Sequence, residues 1–332
     1  MPATNRRAVL SVAFGAPFLL GATGAAAQTY PSRTIRLVVP FPPGGSTDTA
    51  ARLIAEYLGQ RLGQRLVVEN KAGAGGIIGT DSVVKGPADG YALVFGTVSS
   101  TAINHPLFGD RMPYRPDELA GVGLVLSAPN LVLVRGDSPF RTLQDLVAHA
   151  KAHPGALNFG TTGPGSSVQM AGALLRLSAG IDVTAIPYRG GAQVLQELVG
   201  GRVDFSVDSI PSAIALIRGG QVRALAVTDV QRAAVLPDVP TTTEVGLPQV
   251  QSTAWFGLLA PARTPRPIVD RLGRELAAAL EDPTLQQRFE ELGGGPLPLP
   301  GGRTTPEAFD AFIRAEIAKW AEVVEKTGVR PS

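Results

Sequence analysis

Apolar residues in this chain fall into short dense runs, each followed by a glycine- or proline-rich turn and then by a stretch of helical spacing. Ile35, Leu37, Val38 and Val39 form one such run, which predicts a parallel strand buried on both faces, and Pro40 ends it. Phe41, Pro42, Pro43, Gly44 and Gly45 read as a stiff turn. Ser46, Thr47 and Asp48 follow as candidate N-caps of a helix that carries Leu53, Ile54, Tyr57 and Leu58. The same build returns about a hundred residues later. Asn158, Phe159 and Gly160 end a strand, Thr161, Thr162, Gly163, Pro164, Gly165, Ser166 and Ser167 form the loop, and a helix runs from about Val168 through Met170, Ala171, Leu174 and Leu175.

Between and after these units the alternation continues. Strands are predicted at Leu66 to Val68, Ala92 to Phe95, Val183 to Pro187, Val203 to Val207 and Arg223 to Val227. Helices are predicted at Thr142 to His153, Ala192 to Val199, Pro211 to Ile217, and near Ile268 to Leu280 and Pro306 to Lys326. Strands alternating with helices predict an α/β chain of doubly wound sheets. Its length suggests two domains. Leu124 to Leu126 and Leu131 to Val134 flank Ala128, Pro129 and Asn130, where the chain is expected to cross into a second lobe, and Trp255 to Leu259 mark its return. The expected division is residues 28–127 for the first part of lobe 1, 128–250 for lobe 2, and 251–332 for the return to lobe 1.

The N-terminus changes the picture of charge. Arg6 and Arg7, the apolar stretch Ala8 to Leu20 and the Ala25-Ala26-Ala27 site read as a cleavable signal peptide over residues 1–27, exporting the rest to the periplasm. The arginine pair is compatible with Sec or twin-arginine export. Removing this segment takes away two arginines and no acids, so 30 basic and 28 acidic residues become 28 of each. A neutral mature chain argues against nucleic acid as a partner. The absence of cysteine excludes disulfides, thiolate metal sites and a cysteine nucleophile.

The two strand-loop-helix units carry the candidate chemistry. Each aims free backbone N–H groups, at the positive end of a helix dipole, over a sheet edge, as an anion cradle would. One such loop is as well explained by chain turning; two suggest lobes facing one ligand. Gly96, Thr97, Val98, Ser99, Ser100 and Thr101 read as a hydroxyl-rich loop at the same edge. Asp208 is the carboxylate best placed to face the cleft, or else the N-cap of the next helix, and Trp255 reads as a core aromatic or a cleft wall. KAGAGGIIG at Lys71 to Gly79 lacks the dinucleotide-binding spacing and reads as a turn opening a helix. The histidines are His105, His149 and His153; no metal-ligand set, P-loop, G-x-S-x-G elbow or H-E-x-x-H motif accompanies them, so neither metal nor cofactor nor catalytic residue is assigned.

With these residues laid out, Gln28 to Arg330 resembles the substrate-binding proteins of the tripartite tricarboxylate transporters, the Bug-type periplasmic receptors. The motifs that carry the resemblance include IRLVVPFPPGGSTD at Ile35 to Asp48, DGYALVFGT at Asp89 to Thr97, FGTTGPGSS at Phe159 to Ser167, IPYRGGA at Ile186 to Ala192, and WFGLLAPARTP at Trp255 to Pro265. The resemblance implies a two-lobed periplasmic-binding-protein fold, type II-like. It also implies a monomeric receptor that closes on a small carboxylate and presents it to membrane permease subunits. Carried over by position, Phe41, Gly44, Gly45, Ser46 and Asp48 hold one carboxylate. Thr161, Thr162, Gly163, Gly165, Ser166 and Ser167 face the other end of the ligand, and Thr97, Ser99, Tyr188 and Asp208 line the cleft. Ser167, Gln169 and Ala173 stand where the family commonly has proline, histidine and glutamate, and Ala72 where proline is common. Two other readings are an exported α/β hydrolase of carboxylate esters and a receptor that serves a sensor instead of a transporter.

Overall fold

The computed structural model describes residues 30–295, 299, 302 and 304–330. The expected signal peptide lies outside the described residues. In chain order the elements of the first half are β1 (Ile35–Val39), α1 (Ser46–Leu62), β2 (Leu66–Asn70), α2 (Ile77–Val84), β3 (Ala92–Thr97), α3 (Asn104–Phe108) and β4 (Leu119–Arg135). The second set is α4 (Leu143–Ala152), β5 (Leu157–Thr161), α5 (Ser167–Ala179), β6 (Val183–Pro187), α6 (Gly191–Val199), β7 (Phe205–Ser209), α7 (Ile210–Arg218) and β8 (Val222–Val227). The chain then returns through β9 (Thr253–Pro261), α8 (Arg266–Leu280), α9 (Pro283–Glu291) and α10 (Pro306–Thr327).

The strands follow the order β2-β1-β3-β9-β4-β7-β5-β6, with β8 also paired to β4. β1 is parallel to β2 and β3, and β5 is parallel to β6 and β7, whereas β9 runs antiparallel between β3 and β4. The 17-residue β4 serves both sheets: Leu119 to Pro129 pair with β9, and Asn130 to Val134 pair with β7. Ala128, Pro129 and Asn130 all stay within the ladder. Beside it, Asn130 N–H donates to Ser252 O (3.2 Å) and Thr228 N–H to Asn130 O (2.8 Å).

Helices cover both faces of each sheet, which is why the strands read as unbroken apolar runs. Leu37 joins a core with α1, α8 and α9, while its neighbour Val38 joins the opposite core with α2 and α10. Both are fully buried, each worth about 1.5 to 3 kcal/mol relative to exposure. In the second sheet, α4 and α5 cover one face and α6 and α7 the other. Met170 and Leu174 of α5 reach across and pack into the core around α10.

Two local expectations are corrected and one element is added. Ser46, Thr47 and Asp48 are not N-caps of α1; the cap is Gly45, in extended conformation, because Gly44 at φ +85° turns the chain early and starts the helix at Ser46. Residues after Thr97 do not form an open loop but a wide helical turn, Ser99–Ile103. There Thr101 Oγ1 donates to Thr97 O (2.6 Å) and Tyr114 OH to Ser100 O (2.7 Å), supplying the bonds a loop would have left to water. Helix α9 was not anticipated: its sequence is polar, it buries only Leu285 and Phe289, and it is held by the Asp282 cap.

Candidate functional site

A cavity of about 440 Å³ lies between the two sheets. Four helix N-termini open onto it. Gly45, Ser46 and Thr47 come from α1, Ser166, Ser167 and Val168 from α5, Gly190 to Gln193 from α6, and Ser209 and Ser212 from α7. Each helix follows a parallel strand whose carboxyl end faces the same crevice. In α1, α6 and α7 no side chain caps the first turn, so their leading N–H groups are left to solvent or to a bound group. Among the described residues, Arg189 and Asp208 are the only acidic or basic side chains in the wall, and no histidine lines it.

The first loop is braced by Asp48. Its Oδ2 accepts from Gly44 N–H (3.1 Å) and Arg52 Nε (3.0 Å), and its Oδ1 accepts from Asn70 Nδ2 (2.9 Å). Asn70 Nδ2 also donates to Phe41 O (3.1 Å), tying the loop to the end of β2. Burial pushes the Asp48 carboxyl up, but the bonds from Arg52, Gly44 and Asn70 outweigh it and hold the group below the usual carboxylate range. Asp48 does not line the cavity.

The second loop is braced from within and from across the crevice. Ser166 caps α5, accepting from Gln169 N–H (3.1 Å) while donating to Gly163 O (2.8 Å), and Gln169 Oε1 accepts from Gly165 N–H (3.0 Å). Gly163 and Gly165 have φ of +89° and +76°, conformations that side chains disfavour. From the opposite lobe, Ser99 Oγ accepts the backbone N–H of Ser167 (3.0 Å). Pro164 and Gly165 sit against Gly75 and Asn104, and Gly190 faces Pro42 so closely that a Cβ there would be 3.1 Å from Pro42 Cγ.

Asp208 lies at the end of β7, one residue before the Ser209 cap of α7, so the sequence alternative of an N-cap is not what the structure contains. Its Oδ1 accepts from Ser209 N–H (2.7 Å) and Ser212 Oγ (2.7 Å). Burial raises its pKa to about 6.

Of the candidate residues, Phe41, Gly45, Ser46, Thr97, Ser99, Thr162, Ser166, Ser167 and Asp208 meet in the cavity wall. Gly44, Asp48, Thr161, Gly163, Gly165 and Tyr188 do not line it. Thr161 sits beside Ser166 Oγ (3.4 Å), and Tyr188 contributes its N–H to Thr161 O (2.7 Å) while its ring packs toward α6. Sequence reasoning missed Asn130, Arg189, Gln193, Gln196 and Ser212. The Gly190-Gly191 pair ahead of an apolar helix was the available signal for the third N-terminus. Trp255 is both things proposed for it: it lines the cavity, yet it is buried, edge-on to Phe309, with Nε1 donating to Glu316 (2.9 Å).

Residues 50–329 match the sequence profile described as the tripartite tricarboxylate transporter family receptor. The chain belongs to that family. It is 36% identical to the protein BugT of Bordetella pertussis over 305 residues, covering 92% of each chain. Two solved structures from Rhodopseudomonas palustris are similar throughout. MatC with bound malate has a TM-score of 0.83 at 36% identity, covering 89% of this chain and 100% of MatC. Rpa4515 with adipate has a TM-score of 0.86 at 35% identity, covering 91% of this chain and 100% of its own. The fold is thus that of the two-lobed periplasmic binding proteins, and the family is one of solute receptors, not enzymes.

Proposed function

We propose that this receptor binds a small carboxylate in the cavity between its lobes and hands it to the permease subunits of a tripartite tricarboxylate transporter. The observation that carries the reading is the convergence of four helix N-termini, three of them without side-chain caps, on one cavity. Each helix end contributes about 0.3 to 2 kcal/mol toward an anion, and each N–H or O–H bond to a charged oxygen about 1.5 to 3 kcal/mol. Micromolar binding then survives the cost of association and lobe closure. MatC with bound malate and Rpa4515 with adipate support the reading, since both ligands are small carboxylates.

In this reading the α1 loop at Phe41, Gly45 and Ser46 takes one carboxylate, and Thr97, Ser99, Thr162, Ser166 and Ser167 enclose the rest of the ligand. Gly44, Asp48, Thr161, Gly163, Gly165 and Tyr188 hold those groups in place. Residues 28–127 and 251–332 form one lobe and 128–250 the other, and the mature chain acts as a periplasmic monomer after loss of residues 1–27. A hydrolytic reading would give Ser166 or Ser167 a base, but Ser166 Oγ is committed to Gly163 O and the cap, and among the described residues the wall has no histidine.

The test is a thermal-shift and calorimetry screen of the protein, stripped of co-purified ligand, against mono-, di- and tricarboxylates with uncharged analogues as controls. A concentration-dependent rise in Tm with carboxylates only, without turnover, is expected. Uncharged analogues raising Tm as much as the acids would overturn the carboxylate reading.

A further inference from the structure

We infer that Glu316 is a positioning residue for the ligand cavity: through the indole of Trp255 it fixes the stretch of β9 that forms part of the cavity wall. The inference rests on the receptor reading for its affinity test, and it adds to that reading a residue of α10 that does not itself line the cavity.

Both tryptophans of the chain bond to one carboxylate oxygen. Glu316 Oε2 accepts from Trp255 Nε1 (2.9 Å) and from Trp320 Nε1 (3.1 Å), and Oε1 accepts from Lys319 Nζ (3.1 Å). Glu316 is 8% exposed, and the two indoles are buried. A carboxylate is costly to bury without donors, and an indole N–H, which can only donate, needs an acceptor when buried. Each group here supplies what the other lacks. Phe309 and Phe312 of the same helix stand edge-on to Trp255, with ring centroids 5.8 and 5.2 Å away. Phe309, Phe312, Glu316 and Trp320 follow the three- and four-residue spacing of one helix face. Apolar packing has little directional preference, so the shared oxygen is what fixes how the Trp255 ring is turned.

Trp255 in turn carries a piece of the cavity wall, to which Ala254, Trp255 and Phe256 all contribute. Ala254 and Phe256 join the core with α1 and α8, and Trp255 joins the core with α10, so the strand is gripped from both faces. Gly257, the next residue on the Trp255 face, leaves α10 no clearance, since a Cβ there would overlap the Phe309 ring. Phe256 pairs with Thr97 of β3, and Trp255 with Ser127 of β4. Thr97 lines the cavity, and Ser99, two residues on, accepts the N–H of Ser167 from the other lobe. A slip of β9 at Trp255 therefore displaces its own part of the wall and Thr97 with it. One side chain of α10 thus reaches the ligand groups through a single rung of the ladder.

The experiment titrates succinate, adipate and citrate into the purified protein by calorimetry and follows the two indole N–H signals by NMR, with Trp320→Phe telling which belongs to Trp255. Glu316→Ala is expected to weaken the acid that the wild type binds by about 10-fold, while Glu316→Gln, which keeps an acceptor oxygen, holds affinity within about 3-fold. The bound acid should move the Trp255 signal more than that of Trp320, and Glu316→Ala should displace both signals in the free protein. A folded Glu316→Ala variant with a lower Tm and unchanged affinity would make Glu316 a core residue only and overturn the inference. A Trp255 signal indifferent to bound acid would do the same. Where Glu316→Ala does not fold, Glu316→Asp, one methylene short of both indoles, decides: weakened binding upholds the inference and unchanged binding overturns it. If the wild type binds none of the three acids, the carboxylate reading falls by itself. The inference is then decided on the free protein, where a Trp255 signal left in place by Glu316→Ala overturns it and a displaced one, largely restored by Glu316→Gln, upholds it.

Discussion

Ser99 and Ser167 meet across the cavity, the backbone N–H of Ser167 donating to Ser99 Oγ at 3.0 Å. Ser99 belongs to the helical turn after β3 and Ser167 opens α5, so the bond joins one lobe to the other at the point where a ligand would sit. A bond between lobes favours the closed arrangement, and a ligand gains apparent affinity wherever closure is favoured. Ser99→Ala should lower affinity about 2- to 10-fold, the equivalent of one net hydrogen bond, and raise koff more than it lowers kon. Surface-plasmon measurements on the two proteins check this; an unchanged koff would remove the bond from the closure account.

Gly165 is where the second loop is least tolerant. At φ +76°, with Asn104 Oδ1 in the space a Cβ would need, Gly165→Ala meets both backbone strain and a steric clash. A cost of about 1 to 3 kcal/mol is expected from the strain, together with at least about a 10-fold loss of affinity as the loop shifts away from Gly75. Adding Asn104→Gly relieves the clash and not the strain, so the double variant should recover part of the loss in melting and in binding.

Asp48→Asn separates bracing from recognition. The substitution weakens the bonds from Gly44 N–H and Arg52 and should lower stability by about 1 to 2 kcal/mol at neutral pH, with ligand affinity held within about 3-fold. Because the folded state holds this carboxyl below its usual range, its contribution is present above about pH 4 and is lost as the pH falls further, so the gap between wild type and Asp48→Asn should narrow in acid. Chemical denaturation at neutral and acid pH measures it.

Asp208 predicts the opposite slope. Burial raises its pKa from 3.8 to about 6, so the folded, unliganded protein takes up this proton more readily than the unfolded chain. The associated stability is full below the unfolded value and disappears as pH rises through the folded one. Between pH 7 and pH 5 the wild type should gain about 1 kcal/mol relative to Asp208→Asn. Parallel stability profiles for the two proteins over that interval would contradict the assignment.

The strands and the two principal loops were legible because each has a strong local cause. Ile35 to Val39 is apolar on both faces, since helices cover both sides of the sheet, and Gly44, Gly163 and Gly165 stand where φ is positive. What was not legible depends on partners distant in sequence. Asn130 reads as a turn residue beside Pro129, and only the pairing of β4 with β7 and β9 carries it into the cavity wall. Asp48 has the local look of a cap, and its true role needs Asn70, on another strand. Arg189 and Gln196 carry no motif; they enter the wall because α6 happens to point its first turns into the crevice.

The position of β9 also sets an order of assembly. Residues 253–261 fill the gap between β3 and β4, so the first sheet lacks a central strand until the chain has been made almost to its end. The second sheet, by contrast, draws β5, β6, β7, β8 and its part of β4 from one continuous stretch. Its contacts are closer in sequence and cost less loop entropy to close. It is therefore the half equipped to fold first and to serve as a template, while the edge of β3 waits unpaired for Thr253 and the residues that follow, the interval in which this chain is most exposed to aggregation.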